Sequence, residues 1–226
     1  MLTYSSTHRQ SFQRIAPSGF PQMPGAPASR QIEAIGVPML FKRNNEVYGQ
    51  GEPSECFYRV VKGAVRSYRI LCDGRRKIGA FYLPGDLFGL DAGKAHGFSA
   101  EAVTESRLLV IKRRSLLALA TRDSDVAREL WSLTEGALAR ALEHAVLLSK
   151  TAQERVAGFL LDMAARSAGE TIDLPMPRQD IADYLGLTIE TVSRTLTSLE
   201  QQGAIELPNC HRIVLRDGIA LKELNA

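Results

Sequence analysis

Short runs of alternating hydrophobic and polar residues fill 38–111 of the chain. The runs at 57–61, 64–71 and 77–83 are rich in aromatic and β-branched residues, and the hairpin dipeptide Asp73-Gly74 separates the second run from the third. Short strands at this regular spacing, divided by turn signals, are typical of an antiparallel fold. The pattern therefore predicts a closed antiparallel sandwich or roll, which can hold a small ligand but does not require one.

A different pattern follows between Ser124 and Lys150, where apolar residues recur at spacings of three and four. This period predicts one helix of about 27 residues with two apolar stripes. One stripe can pack on the β domain and the other then needs a partner, so we expect the helix to pair with its own copy in a homodimer. The residues expected at this dimer interface are Val126, Leu130, Leu133, Ala137, Ala141, His144 and Leu148. The second stripe comprises Leu138, Leu142, Val146 and Leu147, and the alternative is a helix buried on both sides within one subunit.

Three further helical patterns occupy 153–166, 178–185 and 188–201. Gly186 supplies a tight turn between the second and the third, which is the arrangement of a helix-turn-helix. Two short β runs then flank the turn Pro208-Asn209-Cys210-His211. The residues of these runs that can face inward are Ile205, Leu207, Ile213 and Leu215. The region is therefore predicted to be a DNA-binding helix-turn-helix with a two-stranded wing.

The last of these helices separates apolar from polar side chains at about 100° per residue. One face holds Ile189, Val192, Leu196 and Leu199, whereas the opposite face holds Glu190, Arg194, Thr197 and Gln201, with Ser193 at its flank. Thr188 is a suitable N-cap. Arginine can donate twice to guanine, glutamate can accept from cytosine N4, and serine can contact a base or a phosphate. We therefore expect Arg194, Glu190 and Ser193 to read bases; the alternative is a solvated ion pair between Glu190 and Arg194, worth about 0.2 to 0.5 kcal/mol.

The composition allows a full core, since 45% of the 226 residues are hydrophobic. The formal net charge of +3 is unevenly divided, because residues 151–226 hold seven Lys and Arg against eleven Asp and Glu. Attraction of DNA to this region must therefore come from a few placed cations, from helix N-termini and from the rest of the molecule. Residues 1–31 contain several prolines and no acidic residue, and we expect them to form a flexible, weakly basic arm.

Several functional classes are disfavoured by the sequence. No apolar run approaches the roughly 18 residues that span a bilayer, and no secretion signal is evident, so we expect a cytoplasmic protein without membrane contact. The three cysteines are widely spaced, which fits a reducing compartment. His96 and His144 each lack a second ligand at useful spacing, so we expect no metal. An enzyme built on such a roll would need a cluster of His and carboxylate ligands in the strands, whereas the β region offers only His96, and we therefore expect no enzyme.

Four segments of the chain resemble the CRP/FNR transcription regulators, in particular the FNR and FixK branch. They are VVKGAVRSYRILCDGRR, FYLPGDLFGLD, LLSKTAQERVAGFLL and IADYLGLTIETVSRTLTSLEQQGAIEL. The resemblance extends over about 32–217 and implies an α+β protein. It implies a β-roll like cyclic-nucleotide-binding domains at 32–120, a dimerisation helix at 121–150 and a winged helix-turn-helix at 151–226. It also implies a homodimer that binds a two-fold symmetric site on double-stranded DNA.

The resemblance also assigns roles to particular residues. In this branch Glu190, Ser193 and Arg194 match the base-reading positions for half-sites resembling TTGAT, which implies a TTGAT-N4-ATCAA-like box. We expect contacts to the DNA backbone or its flank from Arg178, Thr188, Thr191, Thr197 and His211. In this family activators contact RNA polymerase through the hairpin loop that here comprises Asp73, Gly74, Arg75, Arg76 and Lys77. The alternative for such a charged run is a solvated face.

Two departures from the family concern cofactors. Members that bind cyclic AMP carry an arginine before a serine in the phosphate cassette, whereas this chain has Phe98 before Ser99. Oxygen-sensing FNR members carry N-terminal cysteines for an iron-sulfur cluster, which normally takes four thiolates, whereas residues 1–55 contain none. We therefore expect a cofactor-free, FixK-type activator of low-oxygen, respiratory or nitrogen-fixation genes. The alternative is a regulator that depends on an unidentified small molecule in the β-roll.

Cys210 lies in the predicted wing turn. Oxidation of its thiol to a charged acid close to DNA phosphates would oppose DNA binding, which makes it a candidate for redox control. The alternative is an incidental exposed thiol.

Overall fold

Two antiparallel sheets pack on each other in the N-terminal part of the computed structural model, which describes residues 13–14, 27–167 and 171–225. The first sheet consists, in spatial order, of Gln13–Arg14 (β1), Val37–Phe41 (β2), Ser106–Lys112 (β9), Cys56–Lys62 (β4) and Leu87–Phe88 (β7). The second consists of Glu46–Tyr48 (β3), Ser99–Ala102 (β8), Val65–Ile70 (β5) and Arg76–Tyr82 (β6). All their strand pairs are antiparallel, so the predicted roll is confirmed.

The hairpin of β5 and β6 turns at the predicted Asp73-Gly74. Gly74 adopts a φ of 82°, which is accessible to glycine without strain, and its N–H donates to the carbonyl of Leu71 at 2.9 Å. Pairing then runs from Ile70 opposite Arg76 along the two strands. The turn therefore places β6 so that its first residues lie at the end of the hairpin.

Aromatic rings occupy the space between the two sheets. The ring centroids of Tyr82 and Phe88 are 4.6 Å apart, and those of Tyr58 and Phe88 are 5.2 Å apart. His96 stacks on Tyr48 with a centroid distance of 3.6 Å. Burial raises the pKa of Tyr48 and of Tyr58, so both phenols remain protonated. The interior of the roll is thus filled largely by side chains of the protein.

A helix begins within the expected flexible arm, which corrects that expectation for 27–31. It spans Pro27–Ala34 (α1), and the proline occupies the first helical position, where its missing N–H is not needed. Ile32 is only 1% exposed and packs in a core with residues of the roll. The strand β1 also falls within the expected arm and pairs with β2. The rest of the expected arm, 1–12 and 15–26, lies outside the described residues.

The predicted long helix is confirmed as Ser124–Leu147 (α3), slightly shorter than expected. Asp123 caps it, because its Oδ1 accepts hydrogen bonds from the backbone N–H groups of Asp125 and Val126 at 2.8 and 3.3 Å. A further helix, Arg113–Arg122 (α2), connects β9 to α3 and was not predicted.

The C-terminal domain contains the three predicted helices, a fourth helix at its C-terminal end that was not predicted, and a larger sheet than expected. The helices are Ala152–Ser167 (α4), Arg178–Leu185 (α5), Ile189–Gln201 (α6) and Gly218–Asn225 (α7). The sheet has the order Thr171–Asp173 (β10), Arg212–Leu215 (β12) and Ile205–Glu206 (β11). The predicted two-stranded wing therefore carries an additional strand, β10, which pairs with β12. None of the described helices has the length and apolar character to cross a membrane.

One hydrophobic core joins the C-terminal domain to the roll. Ile78 and Phe81 of β6 belong to the same buried cluster as Phe159 of α4 and Leu185 of α5. The centroids of the Phe81 and Tyr184 rings are 5.2 Å apart. The helix-turn-helix is therefore packed directly against one strand of the roll.

Candidate nucleic-acid interface

The turn between α5 and α6 depends on Gly186. This residue adopts the left-handed conformation, with φ 64° and ψ 37°, at the C-terminus of α5. The N–H of Leu187 donates to the carbonyl of Ala182 at 3.0 Å and closes the helix end. Thr188 then caps α6, as predicted, because its hydroxyl accepts from the N–H of Thr191 at 3.2 Å. Together these bonds fix the direction in which α6 leaves α5.

The helix α6 buries its apolar face and exposes its polar face. Val192, Leu196 and Leu199 are at most 2% exposed, as the periodicity predicted, whereas Ile189, predicted on the same face, is 36% exposed at the start of the helix. In contrast, Glu190, Arg194, Thr197 and Gln201 are exposed, whereas Ser193 and Thr191 are partly exposed. The polar side chains expected to read bases therefore share one accessible surface.

Glu190 and Arg194 are available for external contacts. The carboxylate of Glu190 accepts hydrogen bonds from the backbone N–H of the same residue and from the hydroxyl of Thr188. These bonds lower the pKa of Glu190, so the carboxylate stays ionised and can act as an acceptor. The Nε of Arg194 lies 3.4 Å from the carbonyl oxygen of Glu190. Within the described residues the two side chains form no ion pair closer than 4 Å, which argues against a closed Glu190–Arg194 pair.

Arg178 and His211, the expected phosphate contacts, lie at the start of α5 and in the wing turn. Arg178 is partly exposed, and its guanidinium has no hydrogen bond or ion pair to any other described residue. His211 is exposed, and its Nδ1 lies 3.1 Å from the carbonyl oxygen of Leu174. Because a carbonyl only accepts, Nδ1 carries the proton, and Nε2 can donate to a phosphate only when the ring is doubly protonated. Arg178 is thus a candidate phosphate contact with an unengaged guanidinium, whereas His211 already uses its Nδ1 within its own domain.

Cys210 is exposed in the same turn. Asn209 shapes this turn, since its Oδ1 accepts from the backbone N–H groups of His211 and Arg212 at 2.9 and 2.8 Å. The thiol is therefore accessible to oxidants, and redox control through it stays a prediction.

The hairpin expected to contact polymerase divides into two parts. Asp73, Gly74 and Arg75 are exposed at its tip, where Arg75 pairs with Asp73. Arg76 instead bonds to Asp180 and Asp183 of α5, and the Nζ of Lys77 donates to the carbonyl of Tyr184 at 2.9 Å. The expectation of a polymerase contact is therefore corrected for Arg76 and Lys77, because their charges are engaged by the C-terminal domain.

The stripe of α3 expected at a dimer interface faces its own subunit in several places. Val126 is 0% exposed in a core with the roll, and Leu130 and Leu133 pack against that core. Ala137, Ala141 and Leu148 show partial or full exposure. The dimer expectation is wrong for Val126, because a side chain buried in its own subunit cannot reach a second copy.

His144 also has a partner within the subunit. Its ring stacks on Tyr184 with a centroid distance of 3.8 Å, and its Nε2 donates to the carbonyl of Tyr184 at 3.0 Å. Burial, with a smaller contribution from the charge of Lys77, lowers the pKa of His144 below its ordinary value. His144 therefore links α3 to α5 through a hydrogen bond that its neutral ring donates.

A different stripe of α3 is exposed. It consists of Trp131, Leu138, Leu142 and Val146, which are 59 to 68% exposed and recur at spacings of seven and four. Three of these four residues belong to the second stripe of the sequence pattern, whereas Trp131 was not singled out. An alternation of apolar spacing cannot tell which of two stripes faces the subunit's own core.

The two histidines considered as metal ligands have other partners. The Nδ1 of His96 lies 2.7 Å from Oδ2 of Asp91, and His144 bonds to Tyr184. In the part of the chain that is described, no three His, Cys, Asp or Glu side chains form a group suited to a metal ion.

Asp180 is a residue of this region that sequence reasoning missed. It lies in α5 with 1% exposure, and its carboxylate binds Arg66 and Arg76 of the roll. A carboxylate in the first turn of a short helix is an ordinary feature, because it favours the helix dipole. No signal in the sequence indicated a buried partner 114 positions away.

Two family models match the chain and together cover most of the described part. Residues 38–123 match the cyclic nucleotide-binding domain, and residues 154–224 match the Crp-like helix-turn-helix domain. The first match covers most of the roll, and the second covers the winged helix with its reading face.

Curated relatives and a solved structure extend this similarity over nearly the full length. The chain is 52% identical over 202 residues to the nitrogen fixation regulation protein FixK of Azorhizobium caulinodans, which covers 86% of this chain and 82% of that protein. It is 42% identical to the protein of the same name in Rhizobium meliloti, over 88% of this chain and 95% of that one. The structure of FixK2 from Bradyrhizobium japonicum matches with a TM-score of 0.80 and 48% identity, over 85% of this chain and 98% of that one.

Proposed function

Because the chain belongs to the CRP/FNR family of transcription regulators, and within it to the FixK type, we propose that it activates low-oxygen, respiratory or nitrogen-fixation genes as a homodimer. It is a DNA-binding regulator and not an enzyme. The proposed target is a TTGAT-N4-ATCAA-like box, read without a cyclic nucleotide or an iron-sulfur cluster.

The observation that carries the proposed target is the exposed polar face of α6. Arg194 can donate to guanine O6 and N7, Glu190 can accept from cytosine N4, and Ser193 can reach a neighbouring base or phosphate. All three lie on the part of α6 next to its capped N-terminus, which is the part of a recognition helix that meets base edges. Thr188, Thr191, Thr197, Arg178 and His211 surround them as proposed backbone or flank contacts.

The homodimer is supported by the exposed stripe Trp131, Leu138, Leu142 and Val146 on α3. Spacings of seven and four match the seam of a two-stranded coiled coil, in which each copy contributes the same residues. A row of large apolar side chains exposed by 59 to 68% is unfavourable in water, and a second copy of α3 would cover it. The two-fold axis of such a dimer matches the two-fold symmetry of the proposed box.

Action without cyclic nucleotide is supported by the contents of the roll. Tyr48, Tyr58, Tyr82 and Phe88 occupy its interior. Phe98, which precedes Ser99 in the phosphate cassette, lies under the guanidinium of Arg69 at 4.9 Å from the ring centroid. The guanidinium group of Arg66 pairs with Asp180 and Glu101 and does not face the interior of the roll. A cyclic phosphate would therefore have to displace existing partners of these cations.

A second candidate, dependence on an effector, is favoured by one cavity. It has a volume of about 770 Å³ and lies between β6, α3 and α4. Apolar residues dominate its lining, among them Phe81, Phe98, Leu142, Phe159 and Met163. An apolar small molecule would fit its size and character. In the proposed dimer, however, the partner helix would cover the mouth near Leu142.

Contact with RNA polymerase is proposed for the hairpin tip alone. Asp73, Gly74 and Arg75 are exposed there, and Ile70 and Leu71 beside them are 54% and 37% exposed. An exposed apolar pair next to charged residues is suited to a protein partner. Arg76 and Lys77 support the tip from the side of the C-terminal domain.

The test is binding of the full chain to a TTGAT-N4-ATCAA duplex without added ligand. We expect a nanomolar complex of two chains with one duplex, and a loss of binding when the TTGAT bases are exchanged. Equal affinity for the exchanged duplex would exclude the proposed target. Binding that appears only after a small molecule is added, with heat released on its titration, would favour the effector-dependent alternative.

A further inference from the structure

We propose that Asp180 is a positioning residue for DNA reading: its buried carboxylate, held by Arg66 and Arg76 of the roll, sets the orientation of α6 in each subunit. The proposal rests on the proposed DNA-binding function. It adds a requirement that the base contacts themselves do not include, namely a fixed joint between the roll and the helix-turn-helix.

The joint is a cluster of five charged residues, two on α5 and three on the strands β5, β6 and β8 of the roll. Oδ1 of Asp180 accepts from Nη2 of Arg76 at 2.5 Å, and Oδ2 accepts from Nη1 of Arg66. The Nε of Arg76 also donates to Oδ2 of Asp183 at 2.8 Å. The other terminal nitrogen of Arg66 binds Glu101 within the roll at 2.7 Å. Both carboxylates of α5 are thus tied to the β5–β6 hairpin.

Asp180 contributes little to the fold of its own domain. Its side-chain hydrogen bonds and ion pairs among the described residues all go to the roll. The helix α5 is instead held in its domain by Ile181, Ala182 and Leu185, which are at most 2% exposed. A carboxylate with 1% exposure is costly unless it is paired. Asp180 is therefore a contact that favours one docked arrangement of the two domains.

The hairpin holds α5 at both ends, so it sets an angle as well as a contact. Asp180 is bound near the start of α5, and the carbonyl of Tyr184 near its end accepts from Nζ of Lys77. A cation at this end also favours the helix dipole. Because Gly186 and the Leu187 to Ala182 hydrogen bond fix α6 relative to α5, any rotation of α5 on the roll turns the reading face by the same amount.

The docked arrangement leaves the reading face free. Glu190, Arg194 and Thr197 are exposed while α5 is bound to the roll. A symmetric site requires two reading helices at a fixed separation of about one turn of DNA, roughly 34 Å. A loose joint would have to become ordered upon binding, which lowers affinity. The joint is therefore expected to favour DNA binding and to select the spacing between half-sites.

The test compares full-length wild type with Asp180→Asn, which keeps the shape of the side chain and removes its charge. Asp162→Asn is the matched control, because Asp162 pairs with Arg166 within α4 at 3.5 Å. Asp183→Asn is a graded variant that weakens the contact to Arg76 and the hydrogen bond from Gln179 within α5, and leaves Asp180 unchanged. Each protein is titrated with duplexes whose TTGAT and ATCAA half-sites are separated by three, four or five base pairs. Amide hydrogen exchange of β6 and α5, dimer mass and the unfolding midpoint are measured on the same samples.

For Asp180→Asn we expect faster exchange in β6 and α5 and an affinity at least about tenfold lower on the preferred spacing, with a smaller loss for Asp183→Asn. The differences in affinity among the three spacings should become smaller. The preference for TTGAT over exchanged bases should persist, because Arg194 is intact. If Asp180 contributed only to stability, Asp180→Asn would lower the affinity for all three spacings by the same factor, and the proposed positioning role would be wrong. Unchanged or raised affinity, or unchanged exchange, would overturn the proposal.

The proposed target and the joint can fail separately. If wild type does not bind the TTGAT duplex, the target is wrong, and the variants are then compared on sequences that wild type selects from random duplexes. If Asp180→Asn binds those sequences with the same affinity and the same spacing preference as wild type, the proposed role of the joint is wrong as well.

Discussion

Arg194 and Arg178 present their guanidinium groups on neighbouring helices, yet the structure suits them to different contacts. Arg194 lies on the exposed face of α6, whereas Arg178 lies in the first turn of α5 without a partner among the described residues. A base contact carries sequence information, and a phosphate contact carries position and charge. The two arginines therefore offer a matched pair for separating base reading from backbone attraction.

Arg194→Ala should weaken binding to the TTGAT duplex by about 1 to 3 kcal/mol and relax the preference at the guanine. Arg178→Ala should weaken binding to matched and exchanged duplexes by a similar factor. Fluorescence anisotropy titrations on both duplexes measure the two effects. A loss in Arg194→Ala that is the same on both duplexes would mean that Arg194 contacts phosphate only.

His144 should make the stability of the protein depend on pH. Burial lowers the pKa of His144 in the folded protein. At a pH below the ordinary pKa of histidine, the unfolded chain therefore binds more protons than the folded one. The free energy of unfolding should therefore fall as the pH is lowered from about 7.5 to about 5.5. His144→Gln should flatten this dependence in urea titrations, whereas His211→Gln, which changes an exposed ring, should retain it. Identical slopes in wild type and His144→Gln would contradict the assignment.

Single residues also show where prediction from the sequence ends. The periodicity of α6 was sufficient to separate Val192, Leu196 and Leu199 from Glu190 and Arg194, because a helix at the surface has only one buried side. The joint at Asp180 could not be predicted, since its partner Arg66 is 114 positions away and the two share no local pattern. Pairing of charges across domains depends on how the domains pack, which the local sequence does not encode.

At the scale of elements, helices with a clear apolar period and strands set between turn signals were predictable, whereas several elements without such a pattern were not. The helices α3, α4 and α6 follow from their apolar spacing, whereas α1 has only eight residues and β10 only three. A short element takes its stability from the surface on which it packs. The same limit explains why the stripe predicted at the dimer interface is not the exposed one. Both stripes of α3 have helical spacing, and the packing of the roll on one of them leaves the other exposed.

The exposed stripe of α3 gives a prediction about assembly. Leu142→Glu places a charge at the centre of the proposed coiled coil, so the chain should become monomeric and lose most of its affinity for the symmetric duplex. Ile219→Glu is the matched control, because Ile219 is 72% exposed on α7, away from α3. Light scattering after size exclusion measures the mass. A dimeric Leu142→Glu chain would show that the copies pair elsewhere.

At the scale of the whole molecule, charge is distributed so that few cations of the C-terminal domain remain for DNA. Residues 151–226 contain more acidic than basic residues. Four of their seven basic side chains are already engaged: Arg155 donates to the carbonyls of Lys150 and Leu185, Arg166 binds Asp86, Arg212 binds Asp173, and Arg216 binds Glu206. Specific side chains must therefore supply much of the affinity that general attraction supplies in strongly basic DNA-binding domains.

The dependence of DNA affinity on salt should consequently be shallow. Each phosphate contact contributes about 0.9 to the slope of log affinity against log salt, and we expect a total magnitude below about 6 for the dimer. Arg212 allows this to be changed by one substitution, because its Nε donates to Asp173 at 2.8 Å beside the wing turn and both side chains are at least 50% exposed. Asp173→Asn should free Arg212 for a phosphate, tighten binding at low salt and steepen the slope by about one per subunit. Titrations between about 50 and 200 mM salt measure the slope, and an unchanged slope in Asp173→Asn would place Arg212 out of reach of the DNA.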